Sequence, residues 1–188
     1  MGILGLKKAN CKNCYKCIRE CPVKAIEFKE HQAQIIDDAC LLCGRCVVVC
    51  PQGAKYVRDD TGIVKRMIKS GKKVVASVAP SFLASFDVEG IGGLELALKE
   101  LGFFAAEETA VGAYMAKTEY EKILREGRQS VLITSCCNSV VRLVQKYYPQ
   151  ALPYVAPVLS PMQASGRYIK EKYPDAEVVF LSPCISKK

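Results

Sequence analysis

Eight cysteines occupy residues 11–50 in two matching runs, CKNCYKCIRECP and CLLCGRCVVVCP. Each run is Cys-x2-Cys-x2-Cys-x3-Cys-Pro. It places Cys11, Cys14, Cys17 and Cys21 before Pro22, and Cys40, Cys43, Cys46 and Cys50 before Pro51. The halves repeat every 29 residues and the likeness extends past the cysteines, Ala25-Ile26 being answered by Ala54-Lys55. A structural zinc ion takes four ligands, typically as two Cys-x2-Cys pairs. Here each half adds a third cysteine at the same short spacing and a fourth that precedes proline. That surplus of thiolates points to the ligation of metal clusters.

The paired run resembles that of the two-cluster 4Fe–4S ferredoxins, in which three thiolates of one half hold a cubane and the fourth serves the other cluster. Three close-spaced cysteines on one tight loop can wrap one face of a cubane. Its fourth corner points away and takes a thiolate from elsewhere. The resemblance therefore implies crossed ligand sets: Cys11, Cys14, Cys17 and Cys50 for one cluster, Cys40, Cys43, Cys46 and Cys21 for the other. It also implies an α+β ferredoxin-like two-cluster domain over residues 1–58.

The elements that must position these residues read as follows. Between the halves, residues 25–28 and 34–36 are expected as short strands, with 29–32 as the turn. His31, the one histidine of the chain, then sits in a polar turn with no ligand role. Asp59-Asp60-Thr61-Gly62 marks a boundary. After it, Ile63, Met67 and Ile68 share the face of a short helix ended by Gly71. The β-prone run VVASVA, residues 74–79, suits a strand buried on both faces. Leu94, Leu98 and Leu101 give a helix closed by Gly102, and 103–106 a short strand. A longer helix is expected over 109–126 with Thr109 as N-cap, and VLIT (131–134) as a strand. A helix over 139–148 carries Val140, Val141, Val144 and Tyr147 and is stopped by Pro149. Another runs from Pro161 through Tyr173, and EVVFLS (177–182) is the last strand. Strands alternating with helices imply right-handed crossovers and a parallel sheet covered on both faces, an α/β parallel-sheet domain over residues 59–188.

The composition is globular, with 50% hydrophobic residues and a mean hydropathy of +0.09. No run approaches the roughly 18 apolar residues of a membrane helix, and the N-terminus lacks a signal layout. Metal-type cysteine spacing without a signal peptide points to a reducing cytoplasm. The net charge of +8 arises from scattered lysines with no aromatic-interleaved basic patch, so nucleic acid is not an expected partner. Such a basic surface can steer an acidic electron-transfer partner.

Three cysteines remain: Cys136 and Cys137 in TSCCN, and Cys184 in SPCISKK. Each group follows an expected strand directly, as does Ala79-Pro80-Ser81. In a parallel sheet the three loops leave at the carboxyl ends of strands, where ligand sites of open α/β sheets gather. With Thr134-Ser135-Cys136-Cys137, Ser160-Pro161 and Pro183-Cys184-x-x-Lys187-Lys188, the chain resembles the N-terminal part of an iron-only (FeFe) hydrogenase: a ferredoxin module, then the start of the catalytic domain. That family's active site is a 4Fe–4S cubane joined by one cysteine to a two-iron unit with CO and CN ligands. The resemblance implies Cys137 and Cys184 as two of the four cubane ligands and Cys136 as the proton-passing thiol. It implies Lys187 and the Pro80–Ser81 segment as partners of the cyanide nitrogens.

The chain also departs from the family. Fast members carry proline at Asn138, methionine at Ser182 and glutamine at Met162. The acids and serine of their proton path fall, in an ungapped alignment, on Tyr120, Ile123 and Ala156. A proton relay needs groups within hydrogen-bond reach, so the usual path is expected to be broken, as in the sensory branch of the family. Only two cubane thiolates precede Lys188, so the active-site cubane and two-iron unit require a further segment or partner that brings two more. The expected function is an iron–sulfur redox protein that relays electrons from a redox partner, such as a ferredoxin, to a slow or sensory hydrogen-reacting site. The alternative is a ferredoxin-type electron carrier with a hydrogenase-derived scaffold lacking the two-iron unit.

Overall fold

A computed structural model of the chain describes residues 2–127 and 130–188. The cysteine-rich part contains β1 (Leu4–Leu6), α1 (Lys16–Glu20), β2 (Ile26–Lys29), β3 (Gln32–Ile35), α2 (Arg45–Val48) and β4 (Lys55–Val57). β1 pairs antiparallel with β4, and β2 with β3. The β2–β3 connection is a two-residue turn in which Glu30 and His31 have φ of 52° and 58°. That is tighter than the expected turn over 29–32, because two left-handed residues match the twist of paired strands.

The sequence repeat is also a conformational repeat. Asn13, Tyr15 and Lys24 have positive φ, and so do Leu42, Gly44 and Gly53, each 29 residues further on. α1 starts directly after Tyr15 and α2 directly after Gly44. Both runs thus reverse the backbone at the same places around their cysteines.

From there the chain continues through α3 (Thr61–Lys69), β5 (Val74–Val78), α4 (Phe82–Ser85), α5 (Gly90–Glu100), β6 (Ala105–Glu108) and α6 (Ala110–Arg125). It ends with α7 (Asn138–Tyr147), α8 (Pro161–Lys172) and β7 (Glu177–Leu181). Two compact units result. One comprises Met1–Asp59 with Cys137–Leu152 and Cys184–Lys188, the other Asp60–Cys136 with Pro153–Pro183.

The second unit is built on a parallel sheet of order β6–β5–β7. Every residue of the central strand β5 is buried, as its unbroken β-prone run predicts. Val74, Ala76 and Val78 pack with Phe82, Leu94, Leu98, Phe103 and Ala106, while Val75 meets Ile169 and Ala176 on the other face. Ser77 would be a liability there, but its hydroxyl bonds those of Thr109 and Ser165, at 2.9 Å each. α6 and α8 approach closely at Gly112, where a Cβ would stand 2.5 Å from the Ser165 nitrogen. α8 begins at Pro161 behind a capping box of Ser160 and Gln163.

Several expectations are corrected. Residues 131–134 are not a strand of the sheet: only Ile133 pairs, with Val155. A parallel ladder would continue through the Ser135 N–H, but the Tyr120 hydroxyl accepts that proton at 3.1 Å. Thr109 does not cap α6 with its side chain, since Ser77 engages its hydroxyl. β6 starts at Ala105, not Phe103, because the Phe103 N–H closes the end of α5 on the Leu98 carbonyl. Leu101, beyond α5, is 69% exposed and leaves the apolar stripe.

Candidate metal centres

In the first unit cysteines make up nearly half of the buried core. Cys17, Cys21, Cys40 and Cys46 are buried among Leu4, Ala25, Ile26, Ala33 and Leu42. Among the described residues none of the cysteines is joined in a disulfide. Cys11, Cys14, Cys17 and Cys50 line one pocket. Cys21, Cys40, Cys43 and Cys46 line a second. Each cavity takes three cysteines from one run and the fourth from the other. Among the described residues no three His, Cys, Asp or Glu side chains converge as ligands of a single ion do. A cubane takes one thiolate on each of four irons, so cysteines spread around a cavity suit it, and the donor set fits.

The thiols differ in their surroundings. Burial raises Cys17 and Cys40 above the ordinary value and pushes Cys46 up to about 11, the Lys55 charge opposing it at Cys17 and Cys46. Burial alone would raise Cys50 as well. There the backbone N–H groups of Lys55, Ala54 and Gln52, with the Lys55 charge, outweigh burial and carry the thiol below its usual range. The two runs share a sulfur contact: Ala25 donates to Cys21 Sγ and Ala54 to Cys50 Sγ, each at 3.2 Å. At Cys50 that bond is one of those that favour the thiolate a cluster needs.

α7 holds the second cysteine loop from outside. The Tyr147 hydroxyl donates to the Ala39 carbonyl at 2.8 Å, and Arg142 Nε and Nη2 donate to the Cys40 carbonyl at 3.2 and 3.1 Å. Ser139 reaches the Leu41 carbonyl at 3.0 Å, and Lys146 reaches that of Asp38. Four successive carbonyls, from Asp38 to Leu41, are thus satisfied by one polar helix face. The apolar spacing of Val140, Val141 and Val144 points to a core helix, and Val144 is indeed buried. The docking, however, is done by the polar residues between them, which hydrophobic periodicity does not detect. Gly44 seats against the last segment: its φ is +78° and a Cβ would lie 2.3 Å from Ile185 Cδ1.

The remaining site residues fall in both units. Cys137 is the N-cap of α7 and Cys184 that of the short turn Ile185–Lys187, both in the first unit. The Asn138 side chain donates to the Ser186 carbonyl, joining their neighbours. Burial would raise Cys184, but the Ser186 hydroxyl and the Lys187 ammonium, 3.9 Å from Sγ, bring it below its ordinary value. Cys136, Pro80 and Ser81 belong to the second unit. Cys136 is exposed, with the Thr134 hydroxyl 3.7 Å from its sulfur. Pro80 and Ser81 follow the carboxyl end of β5, beside that of β7, through the Ala79–Leu181 backbone bond of 2.9 Å. Tyr120 is held between α6 and the Ser135 loop by its bonds to the Ser135 N–H and hydroxyl. Ala156 is 3% exposed.

Residues 72–188 match the family model for the iron-only hydrogenase large subunit, C-terminal domain, and residues 10–54 that for a 4Fe–4S dicluster domain. Iron hydrogenase 1 of Clostridium pasteurianum is 30% identical over 98% of this chain and 38% of its own length. The NADP-reducing hydrogenase subunit HndD of Solidesulfovibrio fructosivorans is 27% identical over 87% of this chain and 33% of its own. A solved FeFe-hydrogenase structure shares the fold at 22% identity, with a TM-score of 0.57, over 69% of this chain and 39% of that one. The chain thus spans well under half the length of these relatives.

Proposed function

The chain belongs to the iron-only hydrogenase large-subunit family, and on that premise we propose that its first unit binds two 4Fe–4S clusters that relay electrons to a slow or sensory hydrogen-reacting site. It is an iron–sulfur redox protein, and the observation that carries the two-cluster reading is the pair of cavities with crossed sets of four cysteines. Cys11, Cys14, Cys17 and Cys50 would hold one cluster, and Cys21, Cys40, Cys43 and Cys46 the other. Cys137 and Cys184 would hold part of the active-site cubane, two further thiolates coming from another segment or a partner. When bound, that cubane and its two-iron unit supply the reversible conversion of H2 to protons and electrons. Lys187 and the Pro80–Ser81 segment would orient the two-iron unit. Cys136, exposed at its thiol, would receive or deliver the proton.

Slow turnover is supported by what stands where the family's relay groups stand. The Tyr120 hydroxyl is engaged by Ser135, while Ile123 and Ala156 carry no exchangeable side-chain proton. An external ferredoxin or similar carrier would feed the clusters, and metal-type cysteine usage favours the cytoplasm.

The test is iron and sulfide determination with electron paramagnetic resonance on the reconstituted chain and on Cys50→Ser. The expected result is two cubanes in the parent and, in the variant, damage to the cluster of Cys11, Cys14 and Cys17. Damage to the Cys40–Cys43–Cys46 cluster instead would refute the crossed assignment. Two intact clusters without CO and CN infrared bands, after maturation with a segment supplying the two further cysteines, would favour the electron-carrier alternative.

A further inference from the structure

Lys55, the first residue of β4, is a charged side chain in the interior of the first unit, 3% exposed. Its ammonium donates to the Ala33 carbonyl, and among the described residues no carboxylate pairs with it. It lines the cavity of Cys11, Cys14, Cys17 and Cys50. Its strand, β4, packs against α2, which carries Cys46 of the other set. The matching position of the first run is Ile26, itself buried in the same core. An aliphatic side chain therefore satisfies packing at this point of the repeat, and the ammonium requires another reason. A buried cation without a counter-ion is costly. Eight thiolates and the clusters on them would supply the missing negative charge.

We propose that Lys55 is the shared counter-charge of the two 4Fe–4S clusters and holds both reduction potentials up together. The inference rests on the two-cluster reading above. Each one-electron reduction by an external donor adds a negative charge to a cluster. In a medium of low dielectric a nearby cation stabilises the reduced form more than the oxidised one. One cation that lines the first cavity, on a strand packed against the helix carrying Cys46 of the second set, raises both potentials, so neither cluster becomes a trap for electrons on the other.

The experiment uses the full chain reconstituted with iron and sulfide, as the parent, Lys55→Met, Lys55→Ile and Lys55→Arg. Potentials are read by titration with mediators, following the resonance signals of the reduced clusters. Lys55→Met is expected to weaken reduction of both clusters at least about tenfold, a shift of about 59 mV to more negative potential for one electron. Lys55→Arg, which keeps the charge, should leave both within that margin of the parent. A Lys55→Met protein with full iron content and unmoved potentials overturns the proposal, and so does a shift confined to one cluster. Loss of a cluster in both Lys55→Met and Lys55→Ile also overturns it, making the residue a structural one. A parent with fewer than two cubanes defeats the two-cluster reading itself, and iron content separates that failure from the others.

Discussion

At the scale of single residues, the buried thiols set a pH dependence. Burial lifts the Cys46 thiol from 9.0 to about 11 in the folded, cluster-free protein. A group whose pKa is raised on folding stabilises the fold fully below its unfolded value and ceases to do so as pH climbs through the folded one. The cluster-free protein should therefore lose stability between pH 9 and about 11, read as a falling urea midpoint. Cys46→Ala should flatten that fall, and an unchanged slope would contradict the burial account. Cluster formation needs thiolates, so its yield should fall as pH is lowered. At the proposed active site, Cys136→Ala should remove most of the hydrogen turnover of a complete, matured protein. A positioned proton-transfer group is worth a factor of about 10² to 10⁴. Fast turnover indifferent to this substitution would contradict the reading of a broken relay.

At the scale of elements, α7 is the piece whose role changes most between sequence and structure. All eight ferredoxin-type cysteines lie before residue 51, which argues that the N-terminal run alone suffices for both clusters. Yet the carbonyls from Asp38 to Leu41 take their donors from α7. Arg142→Ala removes two charge-assisted bonds to Cys40, worth about 1.5–3 kcal/mol for a charged donor. It should make the Cys21–Cys40–Cys43–Cys46 site release iron to a chelator faster than the parent, leaving the other site unchanged. Equal release from both sites would show that α7 does not support the loop. The Gly44→Ala variant probes the same loop from its other side. The left-handed backbone and the contact with Ile185 predict a loss of about 1–3 kcal/mol, measured by thermal melting.

At the scale of the whole molecule, the two units have different sources of stability. The second has a sheet with an aliphatic core around β5. In the first, four of the nine buried core residues are cysteines, so on the two-cluster proposal a cluster-free first unit would lack much of its cement. Iron removal should therefore raise hydrogen exchange in β2 and β3 while β5 stays protected, as in small domains whose fold depends on metal. Uniform loss of protection across both would show a single cooperative structure. Within the second unit, Ser77→Ala leaves the Thr109 and Ser165 hydroxyls short of a buried partner, at a cost of about 1–3 kcal/mol.

What the sequence determined by itself is local. The cysteine spacing, its 29-residue repeat and the matched left-handed turns follow from residue types a few positions apart. So do the buried run of β5 and the capped start of α8 at Pro161. The motifs around Cys136, Cys137 and Cys184 are likewise short strings, and the roles proposed for them come from the family resemblance. The tertiary structure decided what depends on partners distant in the chain. Tyr120 captures the Ser135 N–H, and the expected strand at 131–134 stops at one bridge. Ser77 draws the Thr109 hydroxyl away from capping, and the polar face of α7 finds the carbonyls of a loop about a hundred residues earlier. Lys55 answers Ile26 in the repeat, a mismatch visible in the sequence, but only the fold shows that its ammonium lies buried at the cavity of Cys11, Cys14, Cys17 and Cys50. A hydrogen bond or a buried charge depends on a partner's position in space, which periodicity along one chain does not encode.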